Sequence, residues 1–239
     1  MIYVVQGILV IFFTILAYQI LKRRRQRINL IFSGFFLSMI IGFIFNMSYA
    51  VISPEYEQLV IFLHILSWFF VSFGTVFLLI VHMIILESTL IYSNKRQNRY
   101  ILLYGSLLFL GMLIQILIPS PFIGINLTSG RPGWTLSFFI YVIVITSGFS
   151  IIPIITTLFK IYHTFESKEL RKRWFYYLIG SLGLIIFNLY PIQILNLLTG
   201  IVPHLQGLDA MRLIIAVSAL SVILWGSLMY YGMGPKLKE

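Results

Sequence analysis

LVIFLHILSWFFVSFGTVFLLIVHMIIL, residues 59–86, decides the fold. The stretch holds no Asp, Glu, Lys or Arg. As a helix rising about 1.5 Å per residue, it is longer than the roughly 30 Å needed to cross the hydrocarbon of a bilayer. A strand of a membrane barrel would alternate polar and apolar residues over about ten positions, and this run does not alternate. It predicts a membrane-spanning helix.

Comparable runs lie at 2–21, 29–52, 101–118, 135–159, 174–198 and 213–232, so the sequence predicts seven spans. Composition agrees: 59% of the 239 residues are hydrophobic and 10% are charged, against about 25% charged in a soluble domain. The expectation is an all-α, polytopic membrane protein in which residues 1–239 form a single seven-helix domain. The chain has no cysteine, which excludes disulfides, thiolate chemistry and Cys-ligated zinc or iron–sulfur clusters.

The connections orient the chain. Lys22, Arg23, Arg24, Arg25 and Arg27 follow the first run; Lys95, Arg96 and Arg99 follow the third; Lys160, Lys168, Arg171, Lys172 and Arg173 surround the connection from fifth to sixth; Lys236 and Lys238 end the chain. Fifteen of the 17 basic residues therefore fall on one side, leaving Arg131 and Arg212 on the other. Basic residues are retained on the cytoplasmic side, so the pattern predicts an outer amino terminus and an inner carboxyl terminus in the cell membrane. The formal charge of +10 belongs to these connections, and nucleic acid is not an expected partner. The first run starts uncharged and ends in basic residues, unlike a cleavable signal peptide.

Aromatic residues at the predicted borders, Tyr92, Tyr100, Trp134, Trp174, Tyr176 and Tyr177, read as interfacial anchors. Residues 120–134 and 198–209 are the longest outer connections, both rich in Gly and Pro. Asn126-Leu127-Thr128 matches a glycosylation acceptor pattern. Gly34, Ser38 and Gly42 recur every fourth residue in the second run, and Gly180, Ser181 and Gly183 cluster in the sixth; small residues of this kind allow close helix contact.

Ionisable residues in a membrane are candidate functional groups. His64 lies near the outer end of the third run, His82 near its inner end, and Glu87 at that end, within reach of Lys95, Arg96 or Arg99. Trp68 lies one turn below His64 on the same face. The expected outer ligand set is His64, Trp68, Arg131, His204, Asp209 and Arg212: the cations suit an anion and the imidazoles a polar group. His82 and Glu87 read as border residues without a special role. No ligand spacing predicts a metal, and no cofactor is expected. A second polar set, Asn46, Asn188 and Gln193, is placed nearer mid-membrane, with further amides at Gln6, Gln19, Gln115 and Asn196. Pro153 and Pro191 should each free a backbone carbonyl one turn earlier. Ile44-Phe45-Asn46 and Ile186-Phe187-Asn188 echo each other, which suits a 3+1+3 repeat of the kind transporters use.

No lysine lies in the seventh run to hold retinal, no Walker, HExxH or nucleophile-elbow motif occurs, and no carboxylate lies in a predicted helix core. An enzyme is not expected. Residues 170–180, LRKRWFYYLIG, a basic cluster running into an aromatic helix with glycine, resemble the seven-helix sensor region at the amino terminus of some prokaryotic histidine kinases. The resemblance spans nearly the whole chain and implies a sensor. It departs at Gly234-Pro235-Lys236-Leu237-Lys238-Glu239, where such a kinase continues into signalling domains; this implies sensing helices that act through a partner.

The first expectation is a stand-alone receptor-like sensor. It binds a small molecule from outside and signals through a cytoplasmic protein held at Arg96, Arg99, Arg171, Lys172 and Arg173, with the lipid bilayer and a homo-oligomer as its other partners. The alternatives are a small transporter with its site near Asn46 and Asn188, and an accessory membrane subunit.

Overall fold

The computed structural model of the chain describes residues 2–23, 26–52, 54–117, 123–126, 131–202 and 209–233. Among them are seven helical rods: α1 (Ile2–Arg23), α2 (Arg27–Ala50), α3 (Glu57–Ile91), α4 (Asn94–Leu117), α5 (Leu136–Thr164), α6 (Lys168–Ile201) and α7 (Asp209–Gly232). Strands β1 (Ile123–Asn126) and β2 (Arg131–Trp134) form a small hairpin between α4 and α5. Five helices are long and apolar enough to cross a membrane: Tyr3–Arg23, Arg27–Ala50, Glu57–Ser88, Leu136–Thr164 and Lys168–Ile201, with a shorter apolar segment at Ala216–Gly232. α4 begins with Lys95, Arg96 and Arg99 and is uncharged after them. Large apolar side chains cover the outside of the rods, Val4, Ile11, Leu102 and Val217 among them. Such a surface would aggregate in water and suits lipid. The chain is an all-α, multi-pass membrane protein.

α3 and α6 outrun their apolar stretches at both ends. α6 starts at Lys168, six residues before the run beginning at 174, because a helix continues into the polar border once its backbone is paired. α3 is central, packed by α2, α4, α5 and the hairpin, and the bundle closes where α7 returns to α1. Small residues set the tightest contacts. A Cβ on Gly42 would stand 2.7 Å from Val71 Cγ2 and 3.0 Å from the Ser67 carbonyl, and Ser67 Oγ donates to the Gly42 carbonyl at 2.8 Å. Gly180 and Gly183 similarly admit Trp225 of α7.

α5 and α6 each contain one π-helical turn, Ser147–Ile151 and Ile185–Leu189, and each turn ends two residues before a proline. Proline lacks the N–H that would bond the carbonyl four residues earlier, and its ring crowds that carbonyl; a wider turn relieves both problems. The two freed carbonyls are capped from neighbouring helices. Tyr100 Oη donates to Phe149 O, and Ser218 Oγ shares its one proton between Phe187 O at 3.2 Å and Asn188 Oδ1 at 3.0 Å. Ser147 Oγ and Tyr190 Oη, 2.7 Å apart, tie α5 to α6. The first π-turn also carries Ser150, which donates to Thr75 on α3 at 2.7 Å.

The border aromatics are mostly not anchors. Tyr92, Trp134, Trp174 and Tyr177 are buried in the protein interior, and Tyr176 packs edge-on against Tyr231. Glu87 pairs with Arg96 at 2.5 Å, just before a break at Ser88, whose φ of 63° and ψ of 162° lie outside helical space.

Candidate ligand site beneath the hairpin

β1 and β2 pair antiparallel with Ile123 opposite Trp134 and Asn126 opposite Arg131. A two-stranded hairpin is not stable alone, and this one is seated on two helices. On α6, Gly200 meets the backbone of Gly133 and Trp134 so closely that a Cβ on Gly133 would stand 2.5 Å from Gly200 Cα. On α3, the hairpin delivers Trp134, fully buried, against His64.

Trp134 Nε1–H donates to His64 Nε2 at 2.8 Å. An indole nitrogen only donates, so Nε2 must hold a lone pair, the ring is neutral, and its proton sits on Nδ1. That Nδ1–H is buried and has no hydrogen-bond partner among the described residues. Around the imidazole stand aromatic edges and faces. Tyr49 lies at 5.3 Å between ring centroids, Trp134 at 6.3 Å and Trp68 at 6.4 Å; Trp68 and Trp134 touch each other at 4.7 Å, and Phe138 backs Trp134 at 5.0 Å. A buried donor left unmade costs about 1–3 kcal/mol, so a group that accepts from Nδ1 gains that much here.

Gln193 is the second polar group of this region. Its side chain is fully buried, and neither its oxygen nor its nitrogen has a partner among the described residues. Gln193 lies seven residues before Gly200 in a regular helical stretch. Seven residues are nearly two whole turns, so Gln193 shares the hairpin-facing side of α6, about 10 Å deeper.

His64 and Trp68 are thus brought together as the sequence suggested, and Gln193 lies on the same side of α6 as the hairpin. Arg131 is placed at the far end of β2, with its side chain outside the described residues. Asp209 and Arg212 stand in the first turn of α7, also without described side chains, and His204 and the acceptor residues Leu127 and Thr128 lie outside the described residues. Tyr49, Trp134 and Phe138 were missed by the sequence reading; the one signal was a tryptophan closing a Gly- and Pro-rich connection. Asn46 and Asn188 do not share a site. Asn46 Oδ1 accepts from Gln6 on α1 at 3.0 Å, whereas Asn188 Oδ1 accepts from Ser218 and Ser221 on α7 at 3.0 and 3.3 Å. Gln19 is exposed, and Asn196 donates to its own helix at Ile192. Among the described residues no group of three His, Cys, Asp or Glu side chains could hold a metal ion.

His82 is a second buried junction, and the border role expected for it is wrong. Nδ1 lies 3.0 Å from Thr157 Oγ1 on α5, and Nε2 lies 3.0 Å from Tyr177 Oη on α6. Thr157 already donates to the Pro153 carbonyl at 2.7 Å, so its oxygen accepts from Nδ1–H, and Nε2 accepts from tyrosine. Trp174 stands edge-on at 5.6 Å and donates to the Leu158 carbonyl at 2.9 Å. His64 and His82 are 18 residues apart in unbroken helix, which is five whole turns: they sit on one face of α3, about 27 Å apart.

At the basic end Arg27 donates to Gln97 at 2.9 Å and to the Tyr92 carbonyl. Arg171 lies over the Tyr162 ring and donates to the Phe165 carbonyl at 2.8 Å. Arg173 pairs with Glu169 at 2.6 Å. Of the five cations expected to face a partner, Arg99 and Lys172 are exposed and in no ion pair among the described residues. No protein-family model, no curated protein and no solved structure matches the chain.

Proposed function

We propose that the chain is a receptor-like sensor of the cell membrane that crosses it seven times, with the hairpin outside and the basic ends in the cytoplasm. It takes a small uncharged molecule beneath the hairpin and acts without catalysis. The observation that carries this reading is the pair of junctions on one face of α3. The unmet His64 donor and the unmet Gln193 amide supply polar contacts, and the aromatic walls supply an apolar surface, so the ligand is a hydrogen-bond acceptor with an apolar or aromatic body. A ligand that binds one arrangement of the hairpin more tightly than another shifts α3. His82 passes that shift to α5 and α6, whose connecting loop lies on the cytoplasmic face, where Arg99 and Lys172 offer positive charge to a signalling partner. The sensor-region resemblance agrees with this assignment.

The test is a screen of uncharged small molecules by intrinsic tryptophan fluorescence on the full chain in lipid nanodiscs. A compound that binds wild type should lose affinity about ten-fold or more in His64→Phe, since the lost hydrogen bond is desolvated, and should be unaffected by Asn46→Ala. Binding that survives both His64→Phe and Gln193→Leu refutes the site.

A small transporter is the second reading, supported by the two proline-linked π-turns in adjacent helices α5 and α6, since interrupted helices line many transport sites. Its expected site at Asn46 and Asn188 would have to form in another arrangement of the bundle. Substrate uptake that is abolished in the Asn46→Ala, Asn188→Ala double variant would move the assignment to it.

A further inference from the structure

An open groove of about 1000 Å³ runs along α4, on a side of the bundle that the hairpin site does not use, and is walled on one side by Tyr141 of α5. Its mouth at the basic end holds Lys95, Asn98 and Arg99. Beyond them the floor is Leu102, Leu103, Leu110 and Ile114, all exposed. The wall is fixed. Tyr141 Oη donates to the Leu107 carbonyl and crosses α4 directly over Gly111, where a Cβ would collide with the phenol.

The charge at the mouth is unspent. Arg96, on another face of α4, is the cation that takes Glu87. Among the described residues no carboxylate pairs with Lys95 or Arg99. These two are four residues apart and so lie one turn above the other on the groove side. The helix start adds its own partial positive charge. The groove is therefore cationic for its first turn and apolar for the rest. From Leu102 to Ile114 the helix rises about 18 Å, close to the roughly 15 Å hydrocarbon depth of one leaflet.

We propose that this groove binds one anionic phospholipid of the leaflet on the basic side. The phosphate lies between Lys95 and Arg99, the Asn98 amide bonds the headgroup, and an acyl chain runs over Leu102, Leu103 and Leu110 to Ile114. A zwitterionic lipid brings a quaternary amine that the two cations repel, so a lipid of net negative charge is favoured. This assignment rests on the membrane reading of the fold and not on the hairpin site; it gives to lipid the Arg99 that the sensor reading offers to a partner, which leaves Lys172 for that role.

The experiment is native mass spectrometry of the full chain, delipidated in neutral detergent and titrated with phosphatidylglycerol or phosphatidylcholine. The proposal expects one retained phosphatidylglycerol per chain and weaker phosphatidylcholine. In the Lys95→Gln, Arg99→Gln double variant, affinity for phosphatidylglycerol should fall on the order of thirty-fold, as expected for two interfacial cations. The Lys168→Gln, Lys172→Gln double variant, which removes equal charge elsewhere on the same side, should retain it. Leu110→Trp, which fills the groove without touching its charge, should also weaken retention. Equal loss in both charge variants would mean diffuse attraction only and would overturn the proposal. So would undiminished binding in Leu110→Trp, or a second copy of the chain crosslinking across Ser106→Cys whatever lipid is present.

Discussion

His64 and His82 occupy the same face of the same helix, in the same tautomer, with Nε2 accepting from a buried ring donor. They differ in one bond. His82 Nδ1–H reaches Thr157, so every polar atom of that ring is met, while His64 Nδ1–H is met by nothing described. The first is what a bundle does to lock three helices together in a medium where an unmet polar group is expensive. The second retains a binding capacity. The polar atoms are therefore all paired at the basic-end junction and left in part unpaired at the hairpin end, although the residues that build them are alike; the proposed recognition rests on that difference.

The largest effect should come from the locked junction. His82→Ala removes both bonds, deprives the Tyr177 hydroxyl of its acceptor and opens a cavity, and should cost about 3 kcal/mol in thermal or denaturant unfolding of the detergent-solubilised protein. His64→Ala also opens a cavity and leaves the Trp134 N–H without its acceptor, but it breaks one bond rather than two and removes an unmet donor with it, so it should cost less; an equal loss at both sites would erase the distinction. Gly200→Ala follows. Its Cβ would collide with the Trp134 carbonyl, a backbone atom that only a shift of the hairpin can move. A loss of about 2 kcal/mol and altered tryptophan emission are expected, and wild-type emission would show that the hairpin is not seated on α6.

Tyr100→Phe uncaps the carbonyl freed by Pro153 and should cost about 1 kcal/mol, with Ser218→Ala doing the same at Pro191; both are read by thermal unfolding. The smallest change has the opposite sign. Ser88 holds a backbone conformation in which glycine is at ease, so Ser88→Gly should stabilise by about 0.5 kcal/mol once the greater freedom of the unfolded glycine is subtracted. A destabilised Ser88→Gly variant would mean that the break after Glu87 is not strained.

The helical membrane architecture was legible because hydropathy reports the solvent around a helix directly. So were the small-residue seam of α2, the Glu87 pair, the carbonyls freed at Pro153 and Pro191, and Trp68 beneath His64, since each follows from spacing along one helix. The hairpin was not legible: residues 123–126 and 131–134 become strands by pairing with each other and resting on α3 and α6, and turn-forming residues alone do not announce that. Nor were the roles of Trp134, Trp174 and Tyr177. An aromatic residue near a membrane border reads the same whether it faces lipid or the protein interior, and only the packing of a second helix decides. His82 was misread for the same reason: depth along its own helix hides that Thr157 and Tyr177 enclose it.

The central claim is that α3 joins the hairpin to the loop between α5 and α6, and the absence of native cysteine makes it directly measurable. Ser167→Cys places one thiol on that exposed loop, in a protein with none of its own. Its rate of labelling by a water-soluble maleimide in lipid nanodiscs is compared with and without Trp134→Phe, which acts on His64, about 27 Å along α3 from His82. The account predicts that loss of the His64 bond changes the rate about five-fold or more, the scale of ordinary allosteric coupling, and that Tyr177→Phe does the same from the near side. A rate altered by Tyr177→Phe but untouched by Trp134→Phe would contradict it, leaving two separate junctions on a passive helix.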